Sequence, residues 1–484
     1  MSAAAALAEL DRAETVRAVR DAVEADAGAW IVGGAVRDAL LGEEVLDLDL
    51  AVQPGKEQPI AAAIASATSG SLFPLSEQHA TWRAIAPRHG WHVDVTALRA
   101  ESIEDDLRAR DFTVNAIAVP LAGGEPIDPT GGVADAAARV LRAASTQAFS
   151  ADPLRLLRAA RLAPQHGLEL EPETVPLARA EASRAADPAG ERQFAELRGI
   201  LAGPDPLRGL EIMDELGITG SVLPELEALR GVVQTPNHHL DVYGHTLAVL
   251  EHLLELERDL PRFAGGAEEG VRALLTEPLA DELSRGGALR FGALLHDIGK
   301  PATRSEIGGR VTFIGHDKAG VEVIASICSR LKTSRRLSQH LQALSLHHLR
   351  LGFLVPRRPL SRRAVYDYLQ ATEPVAPDIT LLTAADRLAA RGEGPLASEE
   401  MIEAHLELVR QVLPEALEWH RDPPRSPLSG NELAVEIGLL PGPRMGRIME
   451  ELRAAAFAGE IDDREDALEL ARRLADEGDR ESSP

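Results

Sequence analysis

Hydrophobic and polar positions repeat with two different periods along this chain, and the change of period divides it. Up to about residue 135, short apolar runs with a strand-like period alternate with helical stretches, which predicts an α/β domain. After Gly131 and Gly132 the strand pattern nearly vanishes, and the remaining sequence is rich in Leu and Ala at helical spacing. We therefore predict an α+β fold, in which a small α/β head is followed by all-helical regions.

Breaks rich in Gly and Pro subdivide the helical part. These residues favour turns because of their backbone preferences, and they cluster notably at residues 203–206 and 392–395. We predict four domains: the head at 1–138, a helical neck and body at 139–232, a second helical domain at 233–392 and an acidic helical tail at 393–484.

One stretch of the predicted head combines several features of phosphoryl-transfer chemistry. A buried strand at 30–32 leads through a glycine pair into a helix, and a second strand is predicted at 45–52. Asp47 and Asp49 share one face of that strand because side chains alternate. Neighbouring carboxylates repel each other unless a cation lies between them, and hard oxygen ligands suit Mg²⁺. The glycines allow a triphosphate to approach the backbone, so we predict a two-metal site for phosphoryl transfer.

Further polar residues extend this group. The segment 91–96 alternates like a strand and would deliver Asp94 as a third carboxylate. Arg110 and Asn115 could reach the phosphates and the ribose of a nucleotide. A later helix is predicted to begin at Asp152, as its cap, and to carry a basic face. That face is formed by Arg155, Arg158 and Arg161.

A second group of metal-binding residue types lies in the helical region. His245, the pair His296-Asp297, and Asp386 fall on successive predicted helices. Imidazole and carboxylate ligands that converge in a helical bundle suit a divalent transition metal or Mg²⁺, which could activate water for attack on a phosphate ester. Additional candidates for ligands or phosphate contacts are His316, His347 and His348.

The composition narrows the function classes. The 484 residues carry a formal net charge of −25, which argues against binding nucleic acid over a broad surface. Contacts with RNA are therefore expected to be local and based on arginine. The single cysteine, Cys328, excludes an internal disulfide and fits the reducing cytoplasm, where we expect the protein. We find neither a signal-peptide pattern nor an apolar run near the ~18 residues of a membrane span, so no membrane partner is expected.

The motifs of the N-terminal part resemble one known family. Over roughly its first 220 residues the chain is similar to the class II tRNA nucleotidyltransferases and bacterial poly(A) polymerases. The matching segments are Gly33-Gly34-Ala35-Val36-Arg37-Asp38 with Asp47-x-Asp49, Arg110-Asp111-Phe112-Thr113-x-Asn115-Ala116, Asp128-Pro129-Thr130-Gly131-Gly132 and Asp152-Pro153-Leu154-Arg155-x-x-Arg158. The resemblance implies a head of the DNA polymerase β-like nucleotidyltransferase fold in which Asp47 and Asp49 bind Mg²⁺. It implies nucleotide binding by Gly33, Gly34, Arg37, Arg110, Asp111, Asn115, Asp152, Arg155, Arg158 and Arg161.

The resemblance also implies that Asp152 and Arg155 read the incoming base, and the chemistry of the two side chains agrees. A carboxylate accepts a hydrogen bond from the exocyclic amine of cytosine or adenine, and a guanidinium donates to the neighbouring ring nitrogen. Uracil and guanine place a carbonyl where the amine would be, so an acceptor faces an acceptor. One such pair can therefore select C and A without a template.

The order His245, His296-Asp297, Asp386 resembles the HD superfamily of metal-dependent phosphohydrolases, a domain found at this position in several bacterial tRNA nucleotidyltransferases. It implies a second divalent metal, which could be Mg²⁺, Mn²⁺ or a transition metal, and a possible phosphohydrolase activity.

We predict Mg²⁺-dependent, template-independent addition of CMP and AMP from CTP and ATP to the 3′ end of tRNA, with release of pyrophosphate. Three alternatives remain open: a poly(A) polymerase, an enzyme that adds only CC or only A, and an HD phosphohydrolase whose head merely binds RNA.

Overall fold

The computed structural model describes residues 3–24, 27–45, 47–76, 80–87 and 90–481. Leu46 of the predicted second strand and the last three residues of the predicted tail lie outside these ranges. The chain separates into two compact units, Met1–Val222 and Leu223–Pro484. Among the described residues, no helix combines the length and the apolar composition that a bilayer span requires.

A six-stranded mixed sheet forms the centre of the first unit. Its strands are β1 (Ala29–Val32), β2 (Leu48–Val52), β3 (Ser71–Ser76), β4 (Thr81–Ala86), β5 (Trp91–Ala97) and β6 (Ala118–Pro120). They lie in the order β3-β4-β5-β2-β1-β6, in which β2 and β5 are parallel and all other neighbours are antiparallel. The parallel pairing matters for the site because it places residues of β2 directly beside residues of β5 at the same end of the sheet.

Alternation of side chains explains how the sheet faces both core and solvent. Leu48 and Leu50 of β2 are buried, whereas Asp49 between them is exposed. One core packs the sheet against the first helices and includes Leu10, Val16 and Ile64. The helices of this half are α1 (Ala3–Arg12) and α2 (Glu14–Ala22), which precede β1, and α3 (Gly34–Leu41), α4 (Glu57–Ala67), α5 (Ile103–Arg108) and α6 (Gly132–Ala138).

The rest of the first unit is almost wholly helical. A short parallel pair, β7 (Val140–Leu141) and β8 (Glu169–Leu170), accompanies α7 (Ala148–Ala151), α8 (Leu154–His166), α9 (Thr174–Ala180), α10 (Gly190–Leu201), α11 (Pro206–Leu216) and α12 (Thr219–Val222). The helix α8 packs on α10 and α11. It begins after Asp152, whose Oδ1 accepts a hydrogen bond of 3.1 Å from the backbone N–H of Leu154. This contact places the basic face of α8 beside the sheet.

The second unit is a helical bundle. Its helices are α13 (Pro224–Glu227), α14 (Val242–Arg258), α15 (Leu260–Phe263), α16 (Glu268–Thr276), α17 (Arg285–Leu295), α18 (Lys300–Thr303), α19 (His316–Arg330), α20 (Arg335–His347), α21 (Arg362–Ala371), α22 (Ala376–Ala389), α23 (Glu399–Arg421), α24 (Gly430–Ile437), α25 (Pro443–Ala458) and α26 (Arg464–Glu481). Two short hairpins interrupt it, β9 (Pro278–Ala280) with β10 (Leu283–Ser284), and β11 (Ser305–Ile307) with β12 (Arg310–Thr312). The helix α14 packs on α17 and α22, and α22 packs on α23.

The predicted α+β architecture is confirmed, with the short strand pairs as an addition that the apolar pattern does not reveal. Strands of two or three residues contain too few positions for a period of two to be recognised. The last three helices, α24 to α26, share a separate small core around Leu433, Leu452 and Ala467.

Candidate functional site

A polar cavity of about 420 Å³ lies in the first unit, where β1, β2 and β5 meet α3 and α8. Most of the residues predicted to bind nucleotide line it. They are Gly33, Gly34, Arg37, Arg110, Asp111, Asn115, Arg155, Arg158 and Arg161. The predicted metal ligand Asp49 also lines the cavity, whereas Asp47, Asp94 and Asp152 are not among its lining residues. Arg99 and Asp106 also line the cavity, although no sequence motif singled them out.

The sheet register brings the candidate carboxylates to one place. Asp49 on β2 is the direct neighbour of Asp94 on β5, and Asp47 comes just before β2. Partial removal of the Asp49 carboxyl from water, together with the nearby negative charge of Asp94, raises the pKa of Asp49. Two carboxylates held side by side in this way fit a divalent cation, since the cation removes their repulsion.

Basic side chains contact two of these carboxylates. Arg83 on β4 donates two hydrogen bonds of 2.7 Å to the two oxygens of Asp94. This contact, together with the charges of Asp47 and Asp49, raises the pKa of Arg83. The backbone N–H of His92 donates to Asp47, and the ring Nδ1 of His92 lies 2.7 Å from the same carboxylate. Sequence reasoning missed Arg83 because its role depends on the pairing of β4 with β5.

Gly33 makes the close approach at the start of α3 possible. Its φ of +71° lies in the region that favours glycine. A Cβ at this position would lie 3.1 Å from Oδ2 of Asp49 and 3.3 Å from Nη1 of Arg110. The residue therefore keeps the backbone of the turn directly against a candidate metal carboxylate and a candidate phosphate-binding guanidinium.

A hydrogen-bonded network fixes the wall beside α8. Asp111 accepts from its neighbouring backbone N–H of Phe112, from Nδ2 of Asn115 and from Nη1 of Arg158. Burial opposes ionisation of Asp111, but Arg158 and these donors outweigh it and lower the pKa of the carboxyl. Asn115 in turn accepts a 3.0 Å hydrogen bond from Nη1 of Arg37. The arginines that face the cavity are thus held in place by buried partners.

The helix α8 contributes the remaining predicted residues. Arg155 donates to three backbone carbonyls, those of Ala109, Arg110 and Ala148. Burial lowers the pKa of Arg155, whereas at Arg158 the charges of Asp111 and Glu196 outweigh burial and raise the pKa. Asp152 accepts a 2.8 Å hydrogen bond from Nη2 of Arg192.

Glu196 is a further residue that the sequence motifs did not reveal. This buried carboxylate on α10 accepts 3.1 Å from Nε of Arg158 and 2.6 Å from Nε of Arg161. A glutamate on the apolar face of α10 is the one signal that could have drawn attention to it. Glu196 fixes the orientation of both arginines.

In the second unit, the predicted HD residues come together in the interior of the bundle. His245 on α14, His296 directly after α17 and Asp386 on α22 offer ligand atoms that lie within 4.8 Å of one another. His245 Nε2 lies 3.0 Å from Oδ1 of Asp386. Nε2 of His296 is buried and has no hydrogen-bond partner among the described residues. A buried acceptor set of this kind fits a divalent metal ion.

Asp297 lies at the middle of a second group with His316 and His348, whose ligand atoms also fall within 4.8 Å of one another. Lys300 contacts Asp297 through Nζ, at 2.5 Å, and donates 2.6 Å to Oε1 of Gln234. Burial opposes ionisation of Asp297, but Lys300 and His296 outweigh it and hold its pKa well below the usual range. A cavity of about 310 Å³ is lined by Asp297, His316 and His348 of this second group and by Asp386 of the first.

His347, the neighbour of His348, does not join this cluster. Its Nδ1 accepts a 2.8 Å hydrogen bond from Nε of Arg350 instead. Because the two histidines are adjacent in sequence, only the geometry at the end of α20 separates them.

Comparisons with known proteins identify the families to which parts of the chain are similar. Three family profiles match successive segments of the chain: "Poly A polymerase head domain" at residues 29–142, "Probable RNA and SrmB- binding site of polymerase A" at 167–229 and "HD domain" at 242–391. The first contains the carboxylate cavity, and the third contains the histidine cluster. Domains of both kinds use divalent metal ions.

Similar proteins extend over nearly the whole chain. The A-adding tRNA nucleotidyltransferase of Deinococcus radiodurans is 36% identical over 461 residues, which cover 93% of this chain and 96% of that protein. The CC-adding tRNA nucleotidyltransferase of Geobacter sulfurreducens is 32% identical, with 91% and 90% covered. A solved CCA-adding enzyme in complex with ATP shares the fold, with a TM-score of 0.66, 21% identity and coverage of 98% and 99%. The chain belongs to the tRNA nucleotidyltransferase family.

Proposed function

We propose that this enzyme adds CMP and AMP to the 3′ end of tRNA without a template and releases pyrophosphate. The observation that carries the proposal is a cavity lined by Asp49, Gly33 and a set of arginines, in which Asp49 is the direct register neighbour of Asp94 on β5. Relatives that cover about nine-tenths of the chain include A-adding and CC-adding enzymes, and a "Multifunctional CCA protein" of Xanthomonas campestris is 32% identical. The substrates CTP, ATP and tRNA follow from these names and from the site.

In this proposal the carboxylates Asp47, Asp49 and Asp94 hold two Mg²⁺ ions. When bound, the ions would activate the RNA 3′-hydroxyl and neutralise the triphosphate. Arg37 and Arg110 face the cavity and would bind the phosphates, with both guanidinium groups already oriented by protein partners. The glycine pair leaves the N-terminus of α3 accessible, and the partial positive charge at this end of the helix would add to the attraction for the phosphates.

Asn115 and Asp111 would hold the ribose side of the nucleotide. Both are buried and joined to each other and to Arg158, so their positions are set before a nucleotide binds. Preorganised donors of this kind cost no rearrangement at the moment of reaction.

We further propose that Asp152 and Arg155 select the base. Among the described residues, the backbone carbonyls take three of the five N–H donors of Arg155, which leaves two for the edge of a base. The carbonyl contacts fix the plane of the guanidinium, so its remaining donors keep one direction. Oδ1 of Asp152 stays on the cap of α8, and Oδ2, which accepts from Arg192 in this structure, would use its second lone pair or exchange this partner to accept from the exocyclic amine of C or A.

The experiment is an incorporation assay with the full-length protein. Three tRNA transcripts, ending before CCA, after C and after CC, are incubated with Mg²⁺ and labelled CTP or ATP. A full CCA-adding enzyme extends all three, an A-adding enzyme extends only the last with ATP, and a poly(A) polymerase lengthens each with many AMP residues. Absence of incorporation on every transcript contradicts the proposal.

Two variants test which of the two units carries out nucleotide addition. Asp49→Asn keeps the shape of the side chain and removes its charge, so we expect a folded protein whose nucleotide addition falls by at least 10³-fold, roughly the scale seen when a key electrostatic group is lost. Asp297→Ala serves as the control in the second unit and should leave addition unchanged. The reverse pattern would favour a phosphohydrolase whose head only binds RNA.

A phosphohydrolase activity of the second unit is a separate proposal. It is favoured by the cluster of His245, His296 and Asp386, and by a neighbouring cavity that Asp297, Asp386 and Lys300 line. Release of phosphate from small phosphate esters, lost in Asp297→Ala and retained in Asp49→Asn, is the result that this second proposal requires.

A further inference from the structure

The arginines that line the cavity of the first unit differ in how far the protein engages their side chains. Six arginines and three aspartates line this cavity. Five of the arginines donate hydrogen bonds to protein groups: Arg37, Arg110, Arg155, Arg158 and Arg161. The sixth, Arg99, is exposed, and among the described residues no hydrogen bond or ion pair engages its guanidinium group. Arg99 therefore adds to the cavity a positive charge that is available to an anionic ligand.

The backbone that carries Arg99 is held in place on both sides. The N–H of the buried Leu98 donates a 2.9 Å hydrogen bond to the carbonyl of Val52, which continues the pairing of β5 with β2. The N–H of Arg99 itself donates 3.0 Å to Oδ1 of the buried Asp106. Oδ2 of the same carboxylate accepts from the guanidinium of Arg110. Asp106 thus fixes the position of the Arg99 backbone, while its charge is directed to Arg110.

The cavity extends along β5, away from the candidate metal carboxylates. Asp49 lines one part of it, and the register neighbour of Asp49 on β5 is Asp94. Ala97, the last residue of β5, lines another part. It lies three residues beyond Asp94, which corresponds to about 10 Å along a strand. Arg99 follows two residues later, so the triphosphate, which is proposed to bind beside the carboxylates, would lie at the other end of the cavity from Arg99.

Arg99 also lies near a residue that is proposed to read the base. Burial lowers the pKa of Arg155, and the positive charge of Arg99 acts in the same direction. An anion beside Arg99 would offset the repulsion between the two guanidinium groups. The phosphates of the incoming nucleotide would bind at the other end of the cavity. The anion that remains for the base end is therefore a phosphodiester of the RNA strand whose 3′ end meets the nucleotide.

We propose that Arg99 binds a backbone phosphate of the RNA acceptor strand, close to the 3′ end that is extended. A guanidinium group can donate two parallel hydrogen bonds to the oxygens of one phosphate. The chain has a formal net charge of −25, so it can hold a polyanion only where single cations are placed against the phosphates. The inference rests on the proposed addition of nucleotides to tRNA, and it gives a role to a residue that no sequence motif singled out.

The experiment measures binding of the full-length protein to a tRNA transcript that ends before CCA, with Mg²⁺ and between about 50 and 200 mM NaCl. Loss of one cation that contacts a single-strand phosphate lowers the slope of log Kd against log salt by ~0.7. We expect this decrease for Arg99→Gln, with an affinity for tRNA that is roughly three- to tenfold weaker. The KM for CTP should change by less than about twofold, because the triphosphate binds at the other end of the cavity.

Two further variants serve as controls for the salt dependence. Arg99→Lys keeps the positive charge and should therefore keep the slope of the parent protein. Arg17→Gln removes an exposed arginine from α2 of the same unit, and Arg17 is not among the residues that line the cavity. This variant should leave both the slope and the affinity for tRNA unchanged. Circular dichroism verifies that each variant is folded, and Arg99→Ser replaces Arg99→Gln if that variant is not.

The slope decides between the possible results. An Arg99→Gln slope equal to that of the parent overturns the proposal, and a raised KM for CTP with an unchanged slope assigns Arg99 to the nucleotide instead. An equal decrease in Arg99→Lys or in Arg17→Gln also overturns it, because the lost charge at residue 99 is then not the cause. If the parent extends no transcript, the proposed nucleotide addition itself fails. An active parent with an unchanged Arg99→Gln slope contradicts the RNA contact alone.

Discussion

Replacing Gly33 by Ala tests whether the turn before α3 holds the metal-binding carboxylate in position. Gly33 has a φ of +71°, and an added Cβ would lie 3.1 Å from Oδ2 of Asp49. Gly42, at the other end of α3, supplies a matched control. Its φ is +79°, but a Cβ there would meet no atom of the described residues within 4 Å.

The two substitutions differ both in backbone cost and in their effect on the site. Gly42 has left-handed helical angles (φ +79°, ψ +25°), where a non-glycine residue loses roughly 1–2 kcal/mol. Gly33 combines φ +71° with ψ −134°, a region that non-glycine residues rarely adopt, so Gly33→Ala should be the more destabilised variant. Only Ala at position 33 pushes against Asp49 and, at 3.3 Å, against Nη1 of Arg110. A displacement of ~1 Å in a catalytic group can cost ~10²-fold in rate, and the smaller shift needed here predicts a loss of about tenfold.

The assay compares kcat/KM for CTP on a tRNA transcript that ends before CCA, together with the thermal unfolding midpoint of each variant. We expect a larger decrease of the midpoint for Gly33→Ala than for Gly42→Ala, and, at a temperature where both variants are folded, about a tenfold loss of kcat/KM for Gly33→Ala alone. Equal activity in the two variants would show that Gly33 serves only the turn. It would refute the assignment of Gly33 to the positioning of Asp49.

Two further predictions concern α8. Arg155→Ala should weaken discrimination against UTP and GTP by about 1–3 kcal/mol, and the rate of CTP addition should change less than this discrimination. Single-nucleotide incorporation measures both quantities. Unchanged exclusion of UTP and GTP would disprove base reading by Arg155. Burial and the charge of Arg37 lower the pKa of His166 to about 4, so the unfolded chain takes up a proton near its ordinary pKa of about 6.5 before the folded protein does. The free energy of unfolding should therefore decrease as the pH falls from about 6.5 to 4. Urea unfolding at pH 7.5 and 5 measures this decrease, which should be smaller in His166→Gln than in the parent protein. An equal decrease in the two proteins would contradict the assignment to His166.

Local patterns in the sequence predicted the elements that carry the first site. The strand, the turn with Gly33, the helix and the strand with Asp49 occur in the predicted order, because alternation and glycine act over a few residues. The contact of Arg83 with Asp94 depends on the register of β4 and β5, which no local pattern fixes. Glu196 was missed for the same reason, since its role appears only once α10 packs on α8.

The second site shows that residue type alone does not predict which histidines join a cluster. The sequence offered His316, His347 and His348 as equivalent candidates. The structure brings His316 and His348 to Asp297 and directs His347 to Arg350. The difference arises at the end of α20, where one residue of advance turns a side chain by about 100° around the helix axis.

Both centres use the same electrostatic device. Asp94 beside Arg83, and Asp297 beside Lys300, are each candidate metal carboxylates in contact with one basic side chain. A neighbouring cation holds the carboxylate oxygens in one orientation, and at Asp297 it also lowers the pKa of the carboxyl. The same cation repels a divalent ion, so the position of the basic group limits where a metal can bind. Because Lys300 contacts Oδ2 of Asp297, the charge of its ammonium group disfavours an ion on that side of the carboxylate.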